Sequence, residues 1–205
     1  MRVYDLTQRI GRGIVTVYPG DPEPTIEAVA SYEADGYYAN TFCMHEHTGT
    51  HVDAPAHMIP GGKTIDRIPP DRLVGPAILV DARGHTSIDE ALLHGQLGGE
   101  ARDKFVLVHT GWRPPEEYPV LTRRAAELLA RLGVKGLGLD TPSPDREPYE
   151  AHRILLSRGV PIIENLAGLG KLLDIGARLI PTLVVAPLPI AGGSGAPARV
   201  LAILP

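Results

Sequence analysis

Four of the eight histidines of this chain fall within a segment of thirteen residues, together with two carboxylates. The segment, 45–57, reads HEHTGTHVDAPAH. Imidazole and carboxylate side chains that converge on one point are the usual protein ligands of zinc and similar divalent ions. The segment therefore predicts a metal site, provided that the backbone brings these side chains together.

The spacing within this segment favours an extended conformation over a helix. A helix would place His47 and His51 on one face but turn Asp53 about 200° away from His51. In a strand, His47, His51, Asp53 and His57 all point to one side, because they are separated by even numbers of residues. His47 and His51 would then lie roughly 13 Å apart, so a bend is required, and Gly49 is its natural place.

The alternative to a metal site is a polar strand face that carries these histidines by chance. It is disfavoured because burying several imidazoles and a carboxylate without partners costs free energy. Glu46 points to the opposite face, so we expect it to face solvent or to support a ligand. His85 and His94 stand alone in the sequence and are expected to be solvated.

Further ligands could come from two positions downstream. His152 lies in a predicted helix over 149–158 and faces its apolar side, where a histidine is more often a packed core residue than a ligand. Glu164 follows a predicted strand directly, at a strand end where the sites of α/β proteins collect. Asp53 could serve one ion with ligands from the segment alone, or bridge two ions if these residues join it.

Nucleophilic hydrolysis by serine or cysteine is a weaker interpretation. Ser194 lies in the sequence GGSGA, which lacks the last glycine of a nucleophile elbow, and Cys43 is expected to be a small packed residue. Residues 191–196 also lack the lysine of a phosphate-binding loop. We expect them to form a flexible loop near the site or a subunit contact.

Composition excludes several classes of protein. The 205 residues fit one domain over 1–205, and the 43% hydrophobic and 21% charged content is typical of a globular fold without a membrane span. A net charge of -4 with mixed signs argues against nucleic-acid binding. The single cysteine and the absence of an apolar signal segment predict a cytoplasmic protein.

The elements that must hold the histidines are predicted as an α/β fold, a mixed β-sheet with packed helices. Short strands that pair antiparallel are expected over 2–6, 15–18, 25–32 and 40–52. After them strands and helices alternate. The later strands are expected over 77–80, 105–108, 137–139, 161–163, 179–185 and 198–203. One helix is expected to begin at Ser87, because Glu90 follows three residues later at the spacing of a capping box. A second helix is expected over 122–132, ending at Gly133, and a third over 149–158.

The stretch HTGTHVDAPAH, residues 47–57, resembles the signature of the metal-dependent cyclase-like hydrolases, a family that includes arylformamidases and isatin hydrolases. Further matches follow in order along nearly the whole chain: residues 4–7, 140–143, His152 and 164–166. The resemblance implies a swivelling β/β/α domain that assembles as a homodimer or homotetramer. It also implies two divalent ions per subunit, zinc or in some members manganese.

The resemblance assigns roles to individual residues. His57 matches the family's acid/base, which would pass a proton to the leaving nitrogen when metal-activated water attacks an amide or formamide. The two ions would share Asp53 and Glu164. One ion would be held by His47, His51 and Asp53, and the other by Asp53, His152 and Glu164.

The substrate is the least determined part of this interpretation. Kynurenine formamidases resemble the chain at Pro19, Gly20 and Asp21, but carry a tryptophan where Tyr18 stands. Tyr18 can still stack on an aryl ring, so we expect the arylformamidase reaction of tryptophan catabolism, N-formyl-L-kynurenine to kynurenine and formate. A cyclic amide or lactone, as in isatin hydrolase, is the alternative. A non-catalytic metal-dependent binding protein is the alternative of another class, disfavoured because it would have no use for His57.

Overall fold

The computed structural model describes residues 1–16, 18, 20–114 and 116–205. Over these residues twelve strands and five α-helices alternate along the chain. The strands are β1 (Arg2–Asp5), β2 (Thr25–Ala30), β3 (Ala39–Cys43), β4 (His51–Asp53), β5 (Val74–Asp81), β6 (Ser87–Ile88), β7 (Phe105–His109), β8 (Val120–Leu121), β9 (Gly136–Leu139), β10 (Ile162–Glu164), β11 (Leu179–Pro187) and β12 (Gly195–Leu204). The helices are α1 (Tyr32–Asp35), α2 (Glu90–Leu97), α3 (Arg123–Leu132), α4 (Glu150–Ser157) and α5 (Leu169–Asp174).

Eight of the strands form one mixed sheet that closes into a barrel. Their order is β1-β12-β11-β5-β7-β9-β10-β4, and β12 also pairs with β4. The strands β5, β7, β9 and β10 run parallel, whereas β4, β11 and β12 join antiparallel. The predicted α/β fold with a mixed sheet is confirmed.

Side chains alternate between the two faces of the central strands. Residues Ala77 and Leu79 of β5 pack into one buried cluster with strands β4, β11 and β12 and with α5. Their neighbours Ile78 and Val80 pack on the other face, against α2, α3 and α4. Both faces are covered, which explains why the sequence shows continuous apolar runs here.

Helix α3 follows its predicted bounds closely. The Thr122 side chain accepts a hydrogen bond from the backbone N–H of Ala125, and Gly133 ends the helix in the left-handed conformation. The predicted start of α2 is wrong. Asp89 caps this helix by accepting from the N–H of Leu92, whereas Ser87 pairs as a strand with Val120.

The first third of the chain differs most from prediction. The predicted strand over 15–18 is wrong for its described residues, because Val15 closes a turn by donating its N–H to the carbonyl of Gly11. Val17 and Pro19 lie outside the described residues. The strand predicted over 25–32 ends at Ala30, where Ser31 caps α1.

The single strand predicted over 40–52 is two strands in different sheets. β3 pairs antiparallel with β2 in a separate hairpin, and β4 belongs to the barrel. The turn between them contains Gly49 at a φ of 63°, where a Cβ would collide with the Val15 side chain. The predicted bend at Gly49 is confirmed. In the part of the chain that the structure describes, no helix is long and apolar enough to cross a membrane.

Candidate metal centre

Strand β4 carries two of the predicted metal ligands on one face. His51 and Asp53 are almost fully buried, and the strand is paired on both edges, with β10 and with β12. Glu164, the last residue of β10, lies opposite His51 in the register. The Nε2 atom of His51 lies 3.3 Å from Oε2 of Glu164 and 3.3 Å from Oδ1 of Asp53.

His47 reaches the same place from the turn that precedes β4. The chain reverses at Gly49, so the Nδ1 atom of His47 lies 2.7 Å from Oδ1 of Asp53. The strand geometry predicted for residues 47–57 is therefore wrong at both ends. β4 ends at Asp53, and Pro55 begins a short 3-10 helix over Pro55–His57, because proline has no N–H to donate to a sheet.

His152 comes from the buried face of α4. Its Nε2 atom lies 3.3 Å from Oε1 of Glu164 and 3.6 Å from Oδ2 of Asp53. The predicted packing of His152 in the core is confirmed, and the same position turns its ring toward the carboxylates of Asp53 and Glu164.

Asp145 holds this histidine and was not singled out from the sequence. The Nδ1–H of His152 donates to Oδ1 of Asp145 at 2.5 Å, and Oδ2 accepts from the backbone N–H of Ala151 at 2.6 Å. A carboxylate at a helix N-terminus accepts otherwise unpaired N–H groups. An acidic residue just before a helix that carries a candidate ligand is the signal that could have found it.

The buried polar atoms of the site fit a divalent metal ion. His51 donates its Nδ1–H to the carbonyl of Gly49 at 2.7 Å, which leaves the lone pair on Nε2. His51 Nε2 and Asp53 Oδ2 are both buried and make no hydrogen bond among the described residues. Nitrogen and carboxylate oxygen donors of this kind are those that zinc and manganese accept.

Among the described residues, two groups of three have ligand atoms close enough to share an ion. In each group the atoms lie within 4.8 Å of one another, and Asp53 belongs to both. The presence of Asp53 in both groups agrees with its predicted role as a ligand shared by two ions. The groups are His47, Asp53 and His57, and His51, Asp53 and Glu164.

The electrostatics of the site favour a bound cation. Burial alone would raise the pKa of Asp53, but the surrounding histidines hold it well below its usual value. Burial alone would lower the pKa of His51, but Asp53 and Glu164 raise it to about 10. Burial opposes the charge on His152 as well, yet Asp145, Asp53 and Glu164 raise its pKa to about 12. The carboxylates thus attract positive charge, and a metal ion would displace protons from these rings.

His57 lies beside the ligand cluster at the cavity. Its ring centroid is 4.1 Å from that of His47 and 5.9 Å from that of His152. Burial lowers the pKa of His57, which keeps the ring neutral at pH 7. A neutral imidazole at this position can accept a proton and return it.

Glu46 supports the loop that contains Ser194. Its carboxylate accepts from the backbone N–H groups of Ser194 and Gly195, at 2.8 and 3.2 Å, and lies 2.7 Å from Ser194 Oγ. Ser194 Oγ in turn lies 3.0 Å from Nε2 of His47. The expected loop near the site is confirmed for residues 191–194, whereas residues 195 and 196 begin strand β12 and pair with β4. At Gly195 a Cβ would lie 2.5 Å from Cε1 of His47, so a side chain there would displace the ring.

A cavity of about 240 Å³ opens over the candidate ligands. Tyr18, the predicted substrate-binding residue, lines it, and its hydroxyl lies 3.5 Å from the hydroxyl of Tyr149. Tyr149 was not identified from the sequence. It has a φ of 59°, and backbone strain of this kind clusters at functional sites. Its ring meets His152 edge-on, at 5.9 Å between centroids.

The two isolated histidines and the single cysteine of the sequence lie outside the candidate metal centre. His85 and His94 are exposed, as expected. Cys43 is exposed and free, so its expected packed position is wrong, because β3 belongs to the outlying hairpin and not to the barrel.

A model of the Cyclase family matches residues 4–146. The kynurenine formamidase of Salinibacter ruber is 31% identical, covering 97% of this chain and 96% of its own length. Isatin hydrolase A from Labrenzia aggregata superposes with a TM-score of 0.84 at 27% identity, covering 98% of this chain and 93% of its own. A structure described as a potential metal-dependent hydrolase with cyclase activity superposes with a TM-score of 0.82 at 32% identity, over 100% of this chain and 99% of that one.

Proposed function

Since the chain belongs to the cyclase family of metal-dependent hydrolases, we propose that it hydrolyses aryl formamides of the N-formyl-L-kynurenine type. The chain is a hydrolase of non-peptide carbon–nitrogen bonds, as its kynurenine formamidase and isatin hydrolase relatives are. One observation carries the proposal. The buried Asp53, with an unpartnered oxygen and three histidines around it, lies beneath a cavity that two tyrosines line.

The residues proposed to hold metal are those whose donor atoms converge on Asp53. Two ions would share Asp53 and Glu164, zinc being the first choice and manganese the second. When bound, the ions would lower the pKa of a water molecule and polarise the formyl oxygen. We assign one ion to His47, His51 and Asp53, and the other to Asp53, His152 and Glu164.

His57 is proposed as the acid/base. It lies at the cavity beside the His47 ring, and no side-chain hydrogen bond from another described residue restrains it. Its role would be to take a proton from the attacking water and give it to the leaving aryl nitrogen, so that the amine departs neutral. His152 is less suited to this transfer, because its Nε2 atom faces the carboxylates of Asp53 and Glu164.

Tyr18 is proposed to stack on the aryl ring of the substrate, beside Tyr149. Aromatic pairs of this kind add free energy beyond the burial of their area. A second candidate reaction, the opening of a cyclic amide or lactone, is favoured by the similarity to isatin hydrolase A. The non-catalytic alternative is set aside because the relatives are hydrolases.

Assembly as a homodimer or homotetramer is also proposed. The hairpin of β2 and β3 exposes large apolar side chains, among them Val29 at 63% and Phe42 at 62%. Large apolar side chains that are exposed together on one hairpin are typical of an interaction site. A cytoplasmic location and a single domain over 1–205 stay predictions of the sequence.

The test is the initial rate of N-formyl-L-kynurenine hydrolysis by protein stripped of metal and then reloaded with zinc or manganese. We expect turnover only in the reloaded samples. Isatin serves as the comparison substrate, and turnover of isatin alone would select the second candidate reaction. Failure to hydrolyse either compound with metal bound would overturn the proposal.

A further inference from the structure

One carboxylate lines the cavity without belonging to the proposed ligand set. The acidic residues among the described lining of the cavity are Glu164, a proposed ligand, and Asp21. Among the described residues that line the cavity there is no lysine or arginine. A substrate carboxylate placed against these walls would therefore meet no fixed positive side chain, whereas a substrate ammonium would meet Asp21.

Asp21 is carried by the same turn as Tyr18. Its backbone N–H donates to the carbonyl of Tyr18 at 3.0 Å, so the residue proposed for aryl stacking and the carboxylate are held together. The Asp21 side chain is 28% exposed, which leaves it accessible from the cavity but only partly hydrated.

The Asp21 carboxylate makes no ion pair with a lysine or arginine among the described residues. The Nδ1 atom of His45 lies 3.4 Å from Oδ2 of Asp21 and equally far from the backbone nitrogen of His47, so its contact with Asp21 is not exclusive. None of the hydrogen bonds between described residues ends on the Asp21 carboxylate.

Resting on the proposed formamidase function, we propose that Asp21 is the binding site for an ammonium group at the end of the substrate remote from the formamide. Bound metal ions would neutralise the negative charges of Asp53 and Glu164, whereas the negative charge of Asp21 would stay uncompensated. The cavity thus selects formamides with a remote ammonium over those whose only remote charge is a carboxylate. A charge-assisted hydrogen bond of this kind corresponds to about a tenfold effect on kcat/KM.

The test uses four aryl formamides with the same ortho-formamidophenyl ketone. N-formylkynurenine carries both an ammonium and a carboxylate. Its decarboxy analogue carries the ammonium alone, its desamino analogue carries the carboxylate alone, and 2-formamidoacetophenone carries neither. For the unaltered holoenzyme we expect the ammonium-only compound to have about tenfold higher kcat/KM than the uncharged one, and the carboxylate-only compound to have the lowest.

The variant is Asp21→Asn, loaded with metal and checked for full metal content. It should lose the tenfold preference for the ammonium-only compound over 2-formamidoacetophenone. Glu23→Gln is the matched control, because it removes a charge from the same loop, where Glu23 is exposed and accepts the N–H of Gly13. The control should retain the preference.

The outcomes separate this inference from the proposed function. If no formamide of the series is hydrolysed, the formamidase function fails. If all are hydrolysed but Asp21→Asn keeps the preference, or slows every compound equally, the ammonium site is wrong and the reaction stands. The unaltered enzyme tests the inference independently, even if the variant does not fold. Faster hydrolysis of the carboxylate-only than of the uncharged compound would overturn it.

Discussion

The Oδ1 atom of Asp145 accepts a 2.5 Å hydrogen bond from Nδ1 of His152 and thereby directs the other ring nitrogen into the candidate metal centre. Because Nδ1 is engaged by Asp145, Nε2 is the nitrogen that faces the space between Asp53 and Glu164, where a bound metal ion would displace its proton. A carboxylate behind a histidine ligand fixes its tautomer and makes the ligand more basic. Asp145 is therefore as much a part of the site as the histidine.

Replacing Asp145 should weaken metal binding without removing a ligand. In Asp145→Asn the single amide oxygen can accept from the Nδ1–H of His152 or from the N–H of Ala151 but not from both, and the negative charge behind His152 is lost. We expect metal affinity to fall by about 10–100-fold, measured by competition with a chelating dye. Glu150→Gln, an exposed change on the same helix, is the control and should bind metal normally. Equal affinity in both variants would mean that Asp145 only caps α4.

His57→Ala separates the acid/base role from a ligand role. We expect kcat to fall by about 10²–10⁴-fold, because the proton transfer to the leaving nitrogen is lost. Metal content, measured by elemental analysis, should stay at the level of the unaltered protein. The exposed His94→Ala is the control for loss of an imidazole. Loss of metal from His57→Ala would make His57 a ligand, an arrangement its closeness to His47 and Asp53 allows.

Asp53→Asn should abolish metal binding and activity together, because Asp53 belongs to both candidate ligand groups. In the unaltered protein, metal at 100 times its dissociation constant stabilises the fold by about 2.7 kcal/mol. Scanning calorimetry should therefore show a drop in Tm when a chelator is added to the unaltered protein, and no drop in the variant. Full metal occupancy in Asp53→Asn would contradict the shared-ligand assignment.

A largely buried carboxylate outside the candidate metal centre predicts a pH dependence of stability. Asp140 accepts from Nδ1 of His109, from the N–H and hydroxyl of Thr110 and from the N–H of Gly111. Burial alone would raise the pKa of Asp140, but these donors lower it below the usual 3.8. A carboxyl whose pKa is lower in the folded state stabilises the fold above its unfolded pKa. That contribution is lost as the pH falls through the folded pKa.

Asp140→Asn should accordingly lower the free energy of unfolding by about 1.5–3 kcal/mol at neutral pH. The difference between unaltered protein and variant should persist down to about pH 5 and shrink as the pH falls below 3.8. Urea unfolding at several pH values measures it. Asp174→Asn on α5 is the control. A difference that does not change between pH 7 and pH 3 would show that the carboxylate charge has no part in it.

Local sequence patterns were enough to propose the ligands of the candidate metal centre and to predict the turns and caps that depend on near neighbours. The spacing of His47, His51 and Asp53 excluded a helix and required a bend at Gly49, which the structure contains. The bounds of α3 could also be predicted from the sequence, because its caps Thr122 and Gly133 act within one helical turn. Continuous apolar runs also predicted the central buried strands of the barrel.

Which distant residues meet these ligands depends on long-range packing. Asp145, Tyr149 and Asp21 reach the site through the packing of α4 and the docking of an irregular turn, neither of which has a period that a sequence pattern can reveal. The split of the predicted strand over 40–52 has the same cause. β4 takes its partners from β10 and β12, more than a hundred residues away, and such long-range pairing overrides the local extended pattern because it buries both edges of the strand.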